Sequence, residues 1–371
     1  MRGGISKFSS YLQNHISSYT SVFTYNYKKL YPDILFPGES QFEPRYNANQ
    51  LAGLVHPYNP LNWRPSARQI NKRNPDVFIF SHWHPFFIPS TLSIIRYLRK
   101  HNPEILTTGI FHNVVPHEQF PLTRVLTGRL FRNTDIPVLL SSQTYNQTSE
   151  LAPEKSPTQL FHPVYERADP ETDRQQIRQR YGVHKDETLF LFYGLIRHYK
   201  GLDLFFHALN ELDLPGNKIK VIVAGEFYTR EEQLIGMIDD SIRPHIHIEN
   251  RFLSDRESDE LLYAADVMVA PYRAASQSGI LADAVNFKLP VICSDQPGFT
   301  DIITHRKHGW IFPSENTEAL KEAILGMNDT SLRSEMITQL TTLKKQLSWK
   351  NFSEQLYSVL AERYKKLKAE Y

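Results

Sequence analysis

The chain has 371 residues, of which 42 are basic and 40 acidic, so its formal net charge is +2. This length predicts two domains, and the balanced charge argues against a nucleic-acid partner because it provides no overall positive field. A single cysteine, Cys293, excludes an internal disulfide and favours a cytoplasmic setting. No apolar run approaches the roughly 18 residues of a membrane-spanning helix, and the polar opening of the sequence does not predict a signal peptide.

The start of the chain combines a glycine pair with a helical pattern. Gly3 and Gly4 precede apolar residues that recur with helical spacing up to Ile16, and a glycine pair before a helix usually follows a strand in doubly wound folds. Residues 21–25 are β-prone and predict a strand. Residues 31–64 are rich in Pro, Asn and Tyr and predict a long loop, which we expect to be functional because of its length.

Histidines follow two consecutive predicted strands in the first half of the chain. Residues 76–80 form an apolar run that leads into His82 and His84, and residues 106–111 form a second run that leads into His112. Because the carboxyl ends of parallel strands line the ligand crevice of such sheets, these histidines predict one polar crevice. The alternative is that a strand-end histidine only packs against its neighbours. A zinc site is not favoured, since the spacing supplies no further ligands.

The second half of the chain begins after a polar linker. Residues 141–149 predict a strand-to-turn segment that ends the first half, and residues 164–173 predict the linker. Residues 188–194 then form a strand pattern, which is followed by a loop that contains Arg197 and Lys200. A basic loop between a strand and a helix can hold a diphosphate, because Arg binds bidentately and Lys adds a point charge. The alternative is a solvated basic turn.

A small-residue loop that opens a helix lies between residues 266 and 292. An apolar strand at 267–270 is followed by small residues at 274–279, and the next helical pattern begins at Gly279. Free N–H groups and the positive end of the helix dipole make this turn an anion site that a diphosphate fits. Asp283 lies one turn into the helix and can accept a hydrogen bond from a sugar hydroxyl. The alternative is an ordinary α/β turn that binds nothing.

Three further patterns complete the second half. Glu226 directly follows an apolar strand, and Ser254 with Glu257 forms a capping box that starts a helix. The last run, residues 349–364, is amphipathic and predicts a helix that crosses back to the first domain. Cys293 falls in a predicted core strand, so we expect its thiol to be inert.

The small-residue loop, Asp283 and the basic loop together resemble the donor site of family-4 glycosyltransferases. That family carries two glutamates eight positions apart; Asp283 occupies the second position, whereas Gln277 stands in for the first. Lys200 matches the family's diphosphate-binding lysine before a glycine, and Arg197 substitutes for its arginine two residues later than in the family pattern. The resemblance assigns these residues to donor binding: Gly4, Arg197, Lys200, Glu226, Phe252, Gln277, Ser278, Gly279 and Asp283.

Other segments extend the resemblance over almost the whole chain. Residues 112–118, HNVVPHE, resemble a segment of the bacterial polysaccharide-assembling branch, and the first histidine of that segment faces the donor sugar in relatives. The resemblance therefore implies His112 as the catalytic residue. In relatives, backbone atoms at the positions of Arg251 and Phe252 receive the nucleobase. A strand also precedes the glycine loop in relatives, so we expect a first strand upstream of Gly4 that this sequence lacks.

The fold implied by the resemblance is α/β, with two facing Rossmann-like doubly wound domains in the GT-B arrangement and the first strand of the N-terminal domain missing. We expect an acceptor-side domain at residues 1–165, which includes the long loop. A donor domain is expected at residues 166–345, and a C-terminal helix at residues 346–371.

The function implied is transfer of a sugar from a nucleotide-sugar to a glycan or lipid-linked saccharide acceptor, with retention of the anomeric configuration. The family needs no metal, and no Asp-x-Asp motif occurs in the sequence. We expect no cofactor beyond the nucleotide-sugar, a cytoplasmic location with peripheral contact to the inner face of the membrane, and no nucleic-acid partner. Two alternatives stay open. One is a non-catalytic nucleotide-sugar-binding protein; the other is a nucleotide-sugar epimerase, which needs acid–base carboxylates and is less favoured because the donor loop lacks its first acid.

Overall fold

A computed structural model describes residues 4–28, 53–112, 123–275 and 279–369. The chain divides into two compact units, which we call unit 1 (Met1–His162 with Trp349–Tyr371) and unit 2 (Pro163–Ser348). In both units, parallel strands alternate with helices along the chain. The predicted α/β class is therefore confirmed. Gln277, Ser278 and the part of the HNVVPHE segment that follows His112 lie outside the described residues.

Unit 1 is built on a parallel sheet of four strands. Its elements are α1 (Gly4–Ile16), β1 (Asn26–Tyr27), β2 (Gly53–Val55), α2 (Pro60–Asn71), β3 (Val77–His82), α3 (Ile88–His101), β4 (Leu106–Phe111), α4 (Thr123–Arg132), β5 (Ile136–Leu139), α5 (Ser142–Leu151), β6 (Thr158–Gln159) and α14 (Trp349–Ala369). The strand order is β3-β4-β5-β6, and β1 pairs with β2 in a separate parallel pair. All residues of β4 are buried, as expected for a parallel strand covered on both faces.

Helices α1 and α14 pack against each other through aromatic side chains. The ring of Phe8 lies 4.8 Å from that of Trp349 and 5.8 Å from that of Phe352, measured between centroids. All three side chains are buried, and each buried large apolar side chain contributes roughly 1.5–3 kcal/mol to folding. The first described residue of α1 is Gly4. Within the described residues, no helix has both the length and the apolar character needed to cross a membrane.

Two predicted segments of unit 1, residues 21–25 and residues 141–149, have a different structure from the one expected. The strand expected at residues 21–25 is instead β1, one position later, because the ring of Tyr27 packs against Phe87 at 5.0 Å and its backbone pairs with β2. The segment at residues 141–149 is the helix α5, which Ser141 caps by accepting a hydrogen bond from the Thr144 N–H.

The long loop expected at residues 31–64 contains regular structure in its described part. Strand β2 and the first turn of α2 both fall within it, and residues 29–52 lie outside the described residues. Helix α2 begins early because the Asn59 side chain caps it and Pro60 occupies its first position, where the missing N–H costs nothing.

Unit 2 is built on a parallel sheet of six strands. Its elements are α6 (Arg174–Arg180), β7 (Thr188–Tyr193), α7 (Leu202–Asn210), β8 (Ile219–Ala224), α8 (Glu231–Ile235), β9 (Ile246–Glu249), α9 (Asp255–Ala264), β10 (Val267–Ala270), α10 (Gly279–Asn286), β11 (Val291–Ser294), α11 (Pro297–Thr300), β12 (Gly309–Phe312), α12 (Thr317–Gly326) and α13 (Thr330–Gln346). The strand order is β12-β11-β10-β7-β8-β9, so the direction of winding reverses between β7 and β10. In open parallel sheets, ligands bind outside the carboxyl ends of the strands at such a reversal.

Several local predictions for unit 2 are confirmed. Helix α10 begins at Gly279, and both hydrogen bonds of the Ser254–Glu257 capping box are present at the start of α9. Cys293 lies in β11 with no exposed surface, and burial raises the pKa of its thiol. A buried neutral thiol is unreactive, as the sequence indicated.

Candidate functional site

Two loops meet at the point in unit 2 where the winding of the sheet reverses. One follows β7 and runs to Lys200, and the other follows β10 and begins at Pro271. Gly201 has a φ of +70°, and a Cβ atom added there would lie 2.1 Å from the carbonyl oxygen of Pro271. Only glycine allows both this backbone conformation and this close approach. Gly201 is thus required for the two loops to touch.

Lys200 is a buried cation at the end of β7. Its side chain is only 6% exposed, and Nζ lies 5.4 Å from the centre of the Tyr272 ring. Burial, assisted by the nearby positive charge of Arg197, lowers the pKa of Lys200 to about 8. No carboxylate in the described part of the chain forms an ion pair with it. A desolvated ammonium group without a carboxylate partner attracts an anion, and a bound anion would favour its charged form.

Arg197 is the second cation of this loop, and it is exposed. Its guanidinium group lies over the ring of Tyr228, with Cζ 5.2 Å from the ring centre. The Tyr228 N–H donates to the carbonyl of Ile196 at 2.8 Å, and the Tyr228 hydroxyl donates to Glu226 at 3.2 Å. The stacking orients the guanidinium and leaves its N–H edge available, since no described carboxylate pairs with it.

Arg273 is a third cation close by, but its charge is neutralised. Its guanidinium donates to both carboxylate oxygens of Asp203 at 2.9 and 2.7 Å and to Glu315 at 3.2 Å. It also donates to the His198 carbonyl at 2.9 Å, and the Arg273 N–H donates to the carbonyl of Tyr199 at 2.7 Å. These bonds fasten the loop after β10 to the loop after β7. Arg273 therefore holds the two loops together, while Arg197 and Lys200 are left to attract an anion.

Asp283 does not stand free to face a sugar. It lies one turn into α10, as predicted, but its carboxylate accepts a hydrogen bond from Arg167, and Arg167 also donates to Asp259. The side chains of Arg167 and Asp283 are 20% and 18% exposed. The N–H of Arg167 donates to the side chain of Asn286 at 3.2 Å. This partly buried pair ties the first segment of unit 2 to α10, so Asp283 has a structural role in addition to any contact with a ligand.

Two histidines are buried at the carboxyl ends of β3 and β4 in unit 1. His82 and His112 are 2% and 5% exposed, and the His112 N–H donates to the His82 carbonyl at 2.8 Å. Burial lowers the pKa of each imidazole to about 3. The Nε2 atoms of both rings are buried and have no hydrogen-bond partner within the described ranges. His112 also makes an edge contact with Phe8, with 4.7 Å between ring centres. Both rings are neutral at physiological pH and retain a polar atom for a ligand.

The other predicted residues lie in separate places. Gly4 is the first residue of α1, Gly279 is the first residue of α10, and Phe252 follows β9 with 73% of its surface exposed. His84 caps a short 3-10 helix at Pro85–Phe87, since its Nδ1 accepts from the Phe86 N–H at 3.2 Å. The structure thus brings Arg197, Lys200 and Glu226 together and leaves His84 with a structural contact.

Residues 173–341, within unit 2, match the family of glycosyl transferases group 1. Unit 2 is therefore similar to the group 1 glycosyl transferases. The chain is 21% identical to an alpha-D-kanosaminyltransferase of Streptomyces kanamyceticus over 267 residues. The aligned region covers 68% of this chain and 67% of that protein. The chain is 26% identical over 155 residues to a teichuronic acid biosynthesis glycosyltransferase of Bacillus subtilis, described as putative, which covers 42% of this chain and 36% of the relative. The sequence matches thus span from about a third to two thirds of the relatives' lengths.

Solved structures identify the fold of the chain. The chain superimposes on a sucrose-phosphate synthase of Thermosynechococcus elongatus with a TM-score of 0.65 at 14% identity, covering 100% of this chain and 94% of that one. HepE of Anabaena, solved in complex with UDP, gives a TM-score of 0.62 at 13% identity, with coverage of 80% and 82%. The fold is therefore of the GT-B class, with two Rossmann-like units, as the sequence predicted.

Sequence reasoning did not find four residues of the candidate site: Arg167, Tyr228, Tyr272 and Arg273. Tyr272 and Arg273 directly follow Pro271, in the same loop as the predicted anion site. Their position in the sequence could therefore have assigned them to that site. Tyr228 lies two residues beyond Glu226. Arg167 gave no signal, because its partner Asp283 lies 116 positions away. No group of three His, Cys, Asp or Glu side chains with metal-binding geometry occurs in the ranges that the structure describes.

We expect Asp283→Asn to lower the melting temperature of the protein. The change leaves the partly buried Arg167 with only one carboxylate, and removing one partner of such a pair costs about 1–3 kcal/mol, or roughly 2–4 °C per kcal/mol for a unit of this size. Thermal melts with and without UDP measure the effect. Asp186→Asn is a matched control, because its pair with Lys218 is exposed. An unchanged melting temperature together with weaker UDP binding would assign Asp283 to the ligand alone.

We expect Arg273→Ala to weaken UDP binding about tenfold, or 1.4 kcal/mol, because the loop that carries Lys200 loses its attachment to the loop after β10. Arg174→Ala is the matched control. Arg174 donates to the Asp266 carboxylate and to two carbonyls, but it lies at the amino end of β10. Both variants should melt at lower temperature, whereas only Arg273→Ala should change the dissociation constant for UDP in calorimetry. Equal effects of the two variants on UDP binding would show that Arg273 acts only on overall stability.

Proposed function

We propose that the protein transfers a sugar from a nucleotide-sugar to a glycan or lipid-linked saccharide acceptor, with retention of the anomeric configuration and without a metal ion. The observation that carries the proposal is a pair of cations, Arg197 and Lys200, where the winding of unit 2 reverses; neither pairs with a carboxylate of the described residues. A nucleoside diphosphate would neutralise both. HepE has been solved with UDP-glucose, which supports a nucleotide-sugar as the donor.

The proposed chemistry is electrostatic stabilisation of the leaving group. When the bond between the sugar and the diphosphate breaks, negative charge grows on the departing phosphate oxygen. Lys200 is already desolvated and Arg197 is already oriented by Tyr228, so little reorganisation is needed to stabilise that charge. In this proposal, these two residues and the first turn of α10 take the role that a metal ion has in other transferases.

We propose His112 as the catalytic residue that contacts the transferred sugar. Because burial lowers its pKa to about 3, the imidazole is neutral and forms a hydrogen bond with a sugar hydroxyl. A neutral imidazole does not act as a general acid. We further propose that the protein works at the cytoplasmic face of the membrane, where lipid-linked acceptors are present.

A panel of nucleotide-sugars, UDP-sugars first, tests the proposal through product analysis. A transferred or hydrolysed sugar supports glycosyl transfer. An epimerised sugar would instead indicate an epimerase, and binding without turnover would indicate a non-catalytic binding protein.

We expect UDP affinity to be constant below about pH 8 and to decrease as the pH rises further. The pKa of Lys200 is about 8 in the free protein, and a bound diphosphate favours the charged form and raises that pKa. Binding near pH 8 should therefore take up a proton. Calorimetry in buffers of different ionisation enthalpy measures this uptake, and the Lys200→Met variant should lack it. Affinity that rises above pH 8 would contradict the role of Lys200.

A further inference from the structure

We propose that an exposed face of helix α2 docks unit 1 on the surface of an anionic lipid bilayer. The face consists of Leu61, Arg64, Arg68 and Lys72, and we call it the α2 stripe. The inference deepens the membrane contact of the proposed function and names its surface. It does not require sugar transfer, because docking needs neither the donor nor the acceptor.

The α2 stripe runs along one face of α2 and ends at the residue that caps its C-terminus, Lys72. Its members are three or four positions apart, and residues at this spacing lie on the same side of a helix. All four are exposed, whereas Ser66, Ala67 and Ile70 form the buried side of α2. The stripe therefore faces solvent and is accessible to a partner.

The three cations of the α2 stripe have no counter-ions. None of them forms an ion pair within the described ranges, whereas Arg124 and Arg132 of α4 pair with Glu150 and Glu154. Helices α1, α2, α3 and α4 contain no acidic residue at all. Within the described ranges, these four helices therefore add no negative charge to the field around the stripe.

The balanced charge of the whole chain conceals a division between the two units. Unit 1 contains 21 basic and 12 acidic residues, a net charge of +9, and unit 2 contains 21 basic and 28 acidic residues, a net charge of −7. The sum is the +2 of the full chain. A field of this size attracts polyanions to unit 1 and repels them from unit 2.

Exposed apolar side chains identify the polyanion as a lipid surface. Leu61 is 87% exposed, and Phe23 is 56% exposed beneath the guanidinium of Arg73, which lies 4.6 Å from its ring centre. At a bilayer, apolar side chains enter the boundary between headgroups and acyl chains while Lys and Arg remain among the lipid phosphates. Nucleic-acid phosphates need only the cations and would leave Leu61 without a role.

Co-sedimentation with vesicles tests the inference. We expect the full chain to bind vesicles of phosphatidylcholine with phosphatidylglycerol, not vesicles of phosphatidylcholine alone, and to bind more weakly as salt increases. Each basic residue contributes roughly fivefold to binding at an anionic surface. The triple variant Arg64→Gln, Arg68→Gln, Lys72→Gln should therefore bind about a hundredfold more weakly. Leu61→Asn should weaken binding at unchanged charge.

The chain offers a matched control in unit 2. Lys185, Lys307 and Lys345 are exposed and unpaired among the described residues, so changing all three to Gln removes the same charge from the other unit. This control should bind vesicles like the natural chain. Absence of binding by the natural chain, or an equal loss in both triple variants, would overturn the inference. Displacement from vesicles by duplex RNA, with no effect of Leu61→Asn, would overturn it in favour of nucleic acid.

Sugar transfer to a water-soluble acceptor, measured without vesicles, separates this inference from the proposed function. A stripe variant that transfers sugar normally but no longer binds vesicles supports docking as an independent property. Should the triple variant melt differently from the natural chain, the single variant Arg68→Gln decides the question through its roughly fivefold loss.

Discussion

The Lys200→Met variant should bind UDP about 10- to 150-fold more weakly than the natural chain. A charge-assisted hydrogen bond contributes about 1.5–3 kcal/mol, and Lys200 is the buried cation without a counter-ion at the end of β7. Methionine preserves the length and apolar stem of the side chain and removes the charge. Calorimetric titration with UDP gives the dissociation constant of both proteins.

The same variant should be more stable than the natural chain in the absence of ligand. The pKa of Lys200 is lowered from its ordinary value of 10.5 to about 8 in the folded protein. Folding therefore disfavours the charged form of this side chain. At pH 7 keeping Lys200 charged lowers the free energy of unfolding by up to about 3 kcal/mol, and this loss disappears as the pH rises above 10.5.

A substitution that raises stability and lowers affinity is typical of a residue that is present for function. Lys185→Met, at an exposed position, should change neither quantity, and a Lys200→Met protein that binds UDP normally would exclude Lys200 from the site.

Unit 1 should lose stability steeply in mild acid. The pKa of His82 and of His112 falls from 6.5 to about 3 on folding, so protonation favours the unfolded state. The stability of the neutral rings is fully present above pH 6.5 and is lost as the pH falls towards 3. At pH 5 each histidine costs about 2 kcal/mol, and the two together cost a large part of the roughly 5–15 kcal/mol that stabilises a domain.

Urea unfolding at pH 8 and pH 5 measures this loss. Tryptophan fluorescence reports mainly on unit 1, which contains Trp63, Trp83 and Trp349 of the four tryptophans. His82→Gln cannot titrate and should remove about half of the difference between the two pH values, whereas His101→Gln, at an exposed position, should leave it unchanged. Equal stability at pH 5 and pH 8 would mean that the two rings are hydrated in solution.

The sequence predicted best where apolar runs are separated by glycine and proline. Strands β7, β8, β10 and β11 are such runs; a glycine directly follows β7 and β8, and Pro271 directly follows β10. Parallel strands buried on both faces have this pattern, so the fold class followed from it. Helix α5 was missed because Ser, Thr and Asn are weak helix formers; a cap at Ser141 and the burial of Thr144 and Thr148 stabilise it instead.

Sequence patterns give the position of a side chain along one element but not its long-range partners. Arg197 and Lys200 were predicted because both lie in one short loop. The role of Arg273 depends on Asp203, 70 positions away, and the role of Asp283 depends on Arg167, 116 positions away. Both ion pairs join side chains whose distance is set by the folded sheet, so local spacing contains no signal for them.

The inert thiol of Cys293 makes the chain a convenient host for site-specific labels. It is the only cysteine, it has no exposed surface, and its pKa is raised by burial. Any cysteine introduced at an exposed position would therefore be the sole reactive thiol, with no need to alter the natural sequence first. A spin label or fluorophore attached in place of Leu61 would then report directly on the polarity around helix α2 when vesicles are added.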